Sequence, residues 1–345
     1  MTTPSTASAS VPSTMTAFVS DERLSTSDPR CFVERKVPTP SLRPRDVLVE
    51  IRAVSVNPAD VKRRGTVFDG DRPQPIGYDA VGSVLAIGPG VRYYAVGDEV
   101  YYAGDVTRDG SNAQFQAVDE RIVGRKPRRL SDAQAAAMPL TSLTAWETLF
   151  DRFGVTRQSS GTLVVVGGAG GVGSVLIQLA KKLSRLSVVA TASRPESSQF
   201  VRSLGADHVV DHSGDLAAAV LDVAPEGSDY LFSPYSATNV AAYARIAKPF
   251  SAIVAIDGVP GLDITPLMRK SVSWHWEWMF TRAAFETPDM DQQRQILNRV
   301  ADLLDDGTLT STLTTTLDGF TPENLARAHE ISETNRSVGK TVITR

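Results

Sequence analysis

Three glycines carry the clearest chemistry in this chain. Gly168, Gly170 and Gly173 keep the spacing G-x-G-x-x-G inside the run Gly167-Gly168-Ala169-Gly170-Gly171-Val172-Gly173-Ser174. The run follows the apolar, β-branched stretch Leu163-Val164-Val165-Val166 and precedes Val175-Leu176-Ile177-Gln178-Leu179-Ala180-Lys181-Lys182, which reads as a helix. Strand, glycine turn and helix form the context in which this spacing binds the pyrophosphate of a dinucleotide. Residues without Cβ let the turn fold tightly and let the backbone approach an anion. The helix N-terminus then offers unpaired N–H groups and a partial positive charge. Gly168, Gly170, Gly171, Val172 and Gly173 are therefore the candidate pyrophosphate site. The competing reading is a glycine-rich connection that holds no ligand.

The next candidates lie about twenty residues on, where dinucleotide sites that take NAD place a carboxylate for the ribose 2′-OH. Here the strand Ser187–Ala192 exits into Ser193-Arg194-Pro195-Glu196, with no carboxylate at its end. Ser193 and Arg194 can both donate to a 2′-phosphate, Arg194 bidentately. The expected cofactor is accordingly NADPH. Ser193 and Glu196 also have the spacing of a capping box, with Ser193 as N-cap and Glu196 at N3. The two uses are compatible, because a helix N-terminus favours an anion in either case.

Other chemistries find little support. The 345 residues include one cysteine, Cys31, so no intramolecular disulfide forms and a reducing cytoplasm suits the chain. The four histidines, His208, His212, His275 and His329, leave the N-terminal part without one. A formal net charge of −3 favours neither nucleic acid nor an acidic membrane surface. The sequence has no apolar run long enough to span a bilayer. Residues 1–14 are rich in Ser, Thr, Ala and Pro, without the features of a secretory or transit signal; they read as a disordered tail.

These residues need a framework to position them. Strand-like stretches punctuated by Pro and Gly fill residues 15–140, among them Val47–Val54, Ala80–Gly88 and Glu99–Ala103, which predicts a β-barrel-like unit. Ser131 is a plausible N-cap for the helix that follows. From the glycine turn onward, strands and helices alternate. The strands are Ser187–Ala192, His208–Asp211, Tyr230–Phe232 and Ala252–Ile256. The helices are Ser197–Leu204, Leu216–Val223 and Val240–Lys248. This alternation predicts an α/β fold with a doubly wound parallel sheet. Helices over Asp291–Leu304 and Pro322–Ile331 and a strand Lys340–Thr344 end the chain. In Val272–Trp278, period-two spacing would put Trp274, Trp276 and Trp278 on one face of the sheet's last strand. The alternatives are an edge that must be paired and plain core packing.

Taken in order, Ala53–Asp60, Gly77–Gly82, Leu140–Trp146, the glycine turn, Trp274–Arg282 and Gly339-Lys340 resemble the medium-chain dehydrogenase/reductase superfamily, and most closely its zinc-free quinone oxidoreductase branch. The resemblance implies a Rossmann domain (residues 141–282) inserted in a discontinuous GroES-like catalytic domain (15–140 and 283–345), with the cofactor in the cleft between them. It implies that Asn57 reaches the nicotinamide ribose and substrate and that Thr144 lies near the nicotinamide; the alternative for Thr144 is a helix-interior hydroxyl bonded to its own backbone. It sets His212 near the cofactor phosphate, where an ordinary surface histidine after a strand is the alternative, and it assigns Ser233, Ile256, Phe280, Thr281 and Lys340 to the cofactor cleft. Zinc-dependent relatives carry Cys in place of Asn57 and Gly-His-Glu in place of Gly77-Tyr78-Asp79, so no metal is expected. Asp60 either orients its loop within an active-site polar network or is an exposed N-cap. Tyr78 either donates to a substrate oxygen or packs. Relatives pair the last Rossmann strand across a two-fold axis, which implies a homodimer through Trp274–Trp278. The expected activity is NADPH-dependent, zinc-independent reduction of quinones or α,β-unsaturated carbonyls. A zinc-dependent alcohol dehydrogenase and a non-catalytic NADPH-binding protein are the alternatives.

Overall fold

The computed structural model describes residues 11–20, 24–64 and 74–345. Most of the expected N-terminal tail, residues 1–10, lies outside the described residues. The chain opens with an antiparallel pair, β1 (Thr14–Val19) and β2 (Val33–Pro38). A larger sheet takes β3 (Asp46–Ser55), β4 (Asp79–Ile87), β5 (Glu99–Tyr102), β6 (Phe115–Asp119) and β7 (Val123–Arg125). β3 is its organising strand, pairing with both β4 and β6, and most of its side chains are buried. That is why Val47–Val54 is so rich in apolar residues.

Three short helices lead out of this sheet. α1 (Pro58–Arg64) follows β3, and α2 (Asp132–Ala136) starts at the Ser131 cap. Ser131 Oγ accepts the Gln134 N–H at 3.2 Å, and Gln134 Oε1 accepts the Ser131 N–H at 3.1 Å. This reciprocal pair satisfies two orphan donors. α3 (Pro139–Trp146) begins on a proline, whose missing N–H has no intrahelical acceptor to lose at that position.

The second sheet contains β8 (Ser160–Val165), β9 (Arg185–Thr191), β10 (His208–Val210), β11 (Ser228–Ser233), β12 (Ala247–Ala255) and β13 (Ser273–Trp276). All its pairings are parallel, in the spatial order β10-β9-β8-β11-β12-β13. The order reverses at β8, so the C-terminal end of β8 is the topological switch point where such sheets bind ligands. α4 (Gly171–Leu183) buries Val175, Leu176, Leu179 and Ala180 against the sheet, and α5 (Pro195–Ser203) follows β9.

The chain then returns to the first sheet. β14 (Leu313–Asp318) pairs parallel with β15 (Lys340–Thr344), and β15 pairs antiparallel with β3, with Val342 opposite Ser55. The return brings Lys340 beside the end of β3.

Two expectations change. The helix from Val240 ends at Ile246, two residues earlier than the pattern suggests, and β12 starts at Ala247. Pro249 is the cause, since the residue before a proline is pushed to extended backbone. The tryptophan strand is also shorter. Glu277 still donates its N–H to the Ala255 carbonyl, but β12 ends there, so Trp278 lies beyond the strand. Trp274 packs half-buried on the sheet, whereas Trp276 is 59% and Trp278 46% exposed.

Candidate active site

The residues proposed for the dinucleotide gather because parallel strands all end on one side. The glycine turn follows β8, Ser193 and Arg194 follow β9, His212 follows β10, Ser233 ends β11, Ile256 follows β12, and Phe280 and Thr281 come after β13. The turn is anchored to its neighbour strand: Gly167 N–H donates to Thr191 Oγ1 at 2.9 Å and Gly168 N–H to the Thr191 carbonyl at 3.1 Å. Ser193 and Arg194 therefore sit two and three residues from an atom that touches the turn.

The glycines differ in what they do. A Cβ on Gly168 would lie 2.9 Å from Ala190 Cβ, and one on Gly173 would lie 2.6 Å from the Gly167 carbonyl oxygen, so both allow close packing of turn, strand and helix. A Cβ on Gly170 would meet only the Gly167 oxygen, at 3.3 Å. Gly170 is also the N-cap of α4 and offers no side chain to the first N–H groups of that helix. Open space over an uncapped helix N-terminus fits a pyrophosphate.

Arg194 corrects one expectation. The N-cap of α5 is Arg194 and not Ser193, with Pro195 at N1 and Ser197 at N3. Ser197 Oγ accepts the Arg194 N–H at 3.2 Å and donates to its carbonyl at 2.9 Å. Pro195 shifts the frame, because its fixed φ suits the first helical position. Glu196 is consequently outside the cap. The Arg194 guanidinium donates to the Arg336 carbonyl, which ties it to the loop before β15.

The second half of the site is a buried polar cluster where β3, α1, β4 and β15 converge. Asp79 is fully enclosed. Its Oδ2 accepts from Ser55 Oγ at 2.6 Å and Asn57 Nδ2 at 2.8 Å, and its Oδ1 accepts the Leu140 N–H at 2.7 Å. Lys340 Nζ donates to the Val56 carbonyl at 2.8 Å and to Asn57 Oδ1 at 2.5 Å, and lies 3.5 Å from Asp79 Oδ2. Asp60 is buried on α1, not an exposed N-cap. Its Oδ2 accepts the Asn57 N–H at 2.7 Å, and its Oδ1 has no hydrogen-bond partner among the described residues. Burial raises its carboxyl to about 7.

The cluster touches the glycine turn. A Cβ on Gly171 would lie 2.9 Å from Thr141 Cγ2 and 3.0 Å from Lys340 Cδ. Gly339 N–H also donates to the Ala169 carbonyl at 2.8 Å. Across from the cluster, the buried Tyr78 ring packs on Phe280, 4.6 Å between centroids, joining the first sheet to the exit of the second. Burial pushes the Tyr78 hydroxyl well above its usual range, so it holds its proton.

Some expected site residues use their polar atoms internally. Thr144 Oγ1 donates to the Leu140 carbonyl at 2.9 Å within its own helix. Ser233 Oγ lies 2.6 Å from the Tyr243 hydroxyl and accepts the Tyr235 N–H at 3.1 Å. Thr281 Oγ1 donates to the Trp278 carbonyl at 2.8 Å. His212 is exposed. Ser55 and the anchoring role of Asp79 are absent from the sequence reading. A carboxylate heading the apolar strand Asp79–Ile87 was the available signal.

A zinc ion does not suit this donor set. The cluster offers amide, hydroxyl and carboxylate oxygens around a lysine ammonium, with neither thiolate nor imidazole. Among the described residues no group of three or more His, Cys, Asp or Glu is placed to hold a metal.

A parallel sheet with an uncapped glycine turn at its switch point, facing a polar cluster on a second sheet, defines a dinucleotide-dependent oxidoreductase. Two family profiles match the chain, "Alcohol dehydrogenase GroES-like domain" over residues 43–128 and "Zinc-binding dehydrogenase" over residues 204–343. A zinc-type alcohol dehydrogenase-like protein of Staphylococcus aureus strain MSSA476 is 37% identical over 319 residues, 90% of this chain and 93% of that protein. An NADPH-dependent alkenal/one oxidoreductase of Arabidopsis thaliana chloroplasts is 34% identical, over 73% of this chain and 65% of that protein. Among solved structures, a Rhizobium etli CFN 42 protein provisionally described as a zinc-dependent alcohol dehydrogenase superposes with a TM-score of 0.91 at 43% identity, covering 96% of this chain and 98% of that one. A mycobacterial protein complexed with NADPH superposes with a TM-score of 0.82 at 25% identity, covering 96% of this chain and 100% of that one. The chain belongs to the medium-chain dehydrogenase/reductase superfamily.

Proposed function

We propose that the protein is an NADPH-dependent reductase of quinones or α,β-unsaturated carbonyls that works without zinc. The observation that carries this reading is the pairing of an open, uncapped glycine turn with a polar cluster whose central cation is a lysine. Gly170, Gly171 and Val172 would hold the pyrophosphate, and Ser193 and Arg194 the 2′-phosphate. Bound NADPH supplies a hydride. Asn57 has one amide N–H not engaged with Asp79, and that group would orient the bound ring and substrate. Tyr78, which keeps its proton, would donate to the substrate oxygen as charge develops there. Phe280 and Tyr78, packed against each other, would exclude water from that end of the bound substrate. Because the Lys340 ammonium sits at the centre of the oxygen donors, an already electrophilic acceptor suits this site better than an alcohol that a metal would have to polarise. The Arabidopsis relative, an NADPH-dependent alkenal/one oxidoreductase, supports this choice of acceptor.

The test is NADPH consumption over a panel of quinones, enones and saturated aldehydes, with and without strong chelator. The expected result is turnover of the first two classes, unchanged by chelation. Loss of turnover on chelation with recovery on added zinc points to an alcohol dehydrogenase. Tight NADPH binding without turnover of any acceptor points to a non-catalytic role.

We also propose that a second copy of the chain covers the edge strand β13. This strand has no partner beyond β12 among the described residues, and it ends on the exposed Trp276. An open apolar edge of that kind favours pairing.

A further inference from the structure

The lysine in the polar cluster is placed as a metal ion would be. Its ammonium is enclosed, and its three N–H donors face three oxygens: the Val56 carbonyl, Asn57 Oδ1 and Asp79 Oδ2. We propose that Lys340 is a fixed internal cation that stands in the place of a metal, balancing Asp79 and holding the Asn57 amide in one orientation, and that it excludes a divalent ion from the cluster. This rests on the zinc-independent reading of the site and supplies its physical cause.

Charge balance comes first. Asp79 accepts from Ser55, Asn57 and the Leu140 N–H, all neutral donors. Without Lys340 its carboxylate would be a buried charge with no counter-ion beside it, which is strongly unfavourable. Asp60, one turn away on α1, adds a second acidic group to the same pocket.

Orientation follows from the same contacts. Asn57 turns its Oδ1 to the ammonium and its Nδ2 to the carboxylate. A flipped amide would set N–H groups against Nζ and an oxygen against Asp79, so both contacts would become repulsive. The remaining N–H of Nδ2 thus has a fixed direction. The Lys340 stem lies against Gly171, so one side chain touches both the start of α4 and the Asn57 amide. A divalent ion between Asn57 and Asp79 would have to displace the ammonium or lie against a like charge.

The test is a double-mutant cycle on the purified, ligand-free protein: K340M, D79N and K340M/D79N. K340M and D79N each leave one buried group unbalanced and should lower Tm by roughly 5 °C. The double variant removes both charges and should recover at least half of the K340M loss. If K340M is insoluble, the cycle is read from D79N against the double variant, which should be the more stable. A K340M protein as stable as the wild type, or losses that simply add, would overturn the proposal. So would one zinc ion per chain retained by the wild type after dialysis against the metal. All these readouts use ligand-free protein. A wild type that fails to consume NADPH would therefore refute the reductase reading alone.

Discussion

Gly170 and Gly173 are three residues apart in one turn, yet the structure predicts opposite outcomes for them. Gly170 has φ −73°, ordinary for any residue, and a Cβ there meets only one oxygen, at 3.3 Å. Gly170→Val should therefore fold with a Tm close to that of the wild type. Its added methyls would fill the space over the N-terminus of α4, where the anion must approach the backbone. Losing two charge-assisted hydrogen bonds costs about 3–6 kcal/mol, or more than a hundredfold in affinity. Gly173 is different, because a Cβ there would lie 2.6 Å from the Gly167 oxygen and 2.9 Å from Gly168 Cα. Both contacts are backbone, so the turn and helix must separate. Gly173→Ala should destabilise the protein by about 1–3 kcal/mol, a Tm loss of several degrees. NADPH titration by fluorescence, with thermal unfolding in parallel, distinguishes the two. A folded Gly170→Val protein with wild-type affinity would mean that the run is only a structural connection, and the dinucleotide reading would lose its main residue-level support.

Three further outcomes are expected. Arg194→Ala should weaken NADPH binding roughly tenfold or more, from the loss of about 1.5–3 kcal/mol, while leaving NADH binding nearly unchanged; equal effects on both would show that Arg194 does not contact the 2′-phosphate. Burial raises the Asp60 carboxyl from 3.8 to about 7, so between those pH values the folded protein holds a proton that the unfolded chain releases. This group's contribution to stability then falls as pH rises through that window. Asp60→Asn should flatten that slope and add up to about 4 kcal/mol above pH 7; an unchanged slope of Tm against pH would refute the assignment. Trp276→Arg should convert a dimer to monomer in light scattering, and a wild type that is monomeric at micromolar concentration would refute edge pairing through β13.

Local pattern accounts for much of what could be read without coordinates. The β-branched run before the glycine turn, the Ser131 cap and the helix from Leu216 to Val223 all lie where the sequence puts them, because each depends on neighbours a few residues apart. The errors are also local. Pro195 moves the α5 cap from Ser193 to Arg194, and Pro249 stops a helix at Ile246. In both places a proline outweighed the side-chain pattern around it.

By itself, then, the sequence determined the strand–turn–helix around the glycine run and the alternation that builds a parallel sheet. Only the tertiary structure decided which groups meet around Asn57. Lys340 and Asn57 are 283 residues apart, and they meet because β15 returns to pair with β3. Asp79 holds Ser55, Asn57 and the start of α3 together through bonds spanning 22 to 61 residues. No periodicity encodes such contacts. They arise when a long-range strand pairing buries a carboxylate and an ammonium in one pocket, where each satisfies the charge that the other could not leave unpaired.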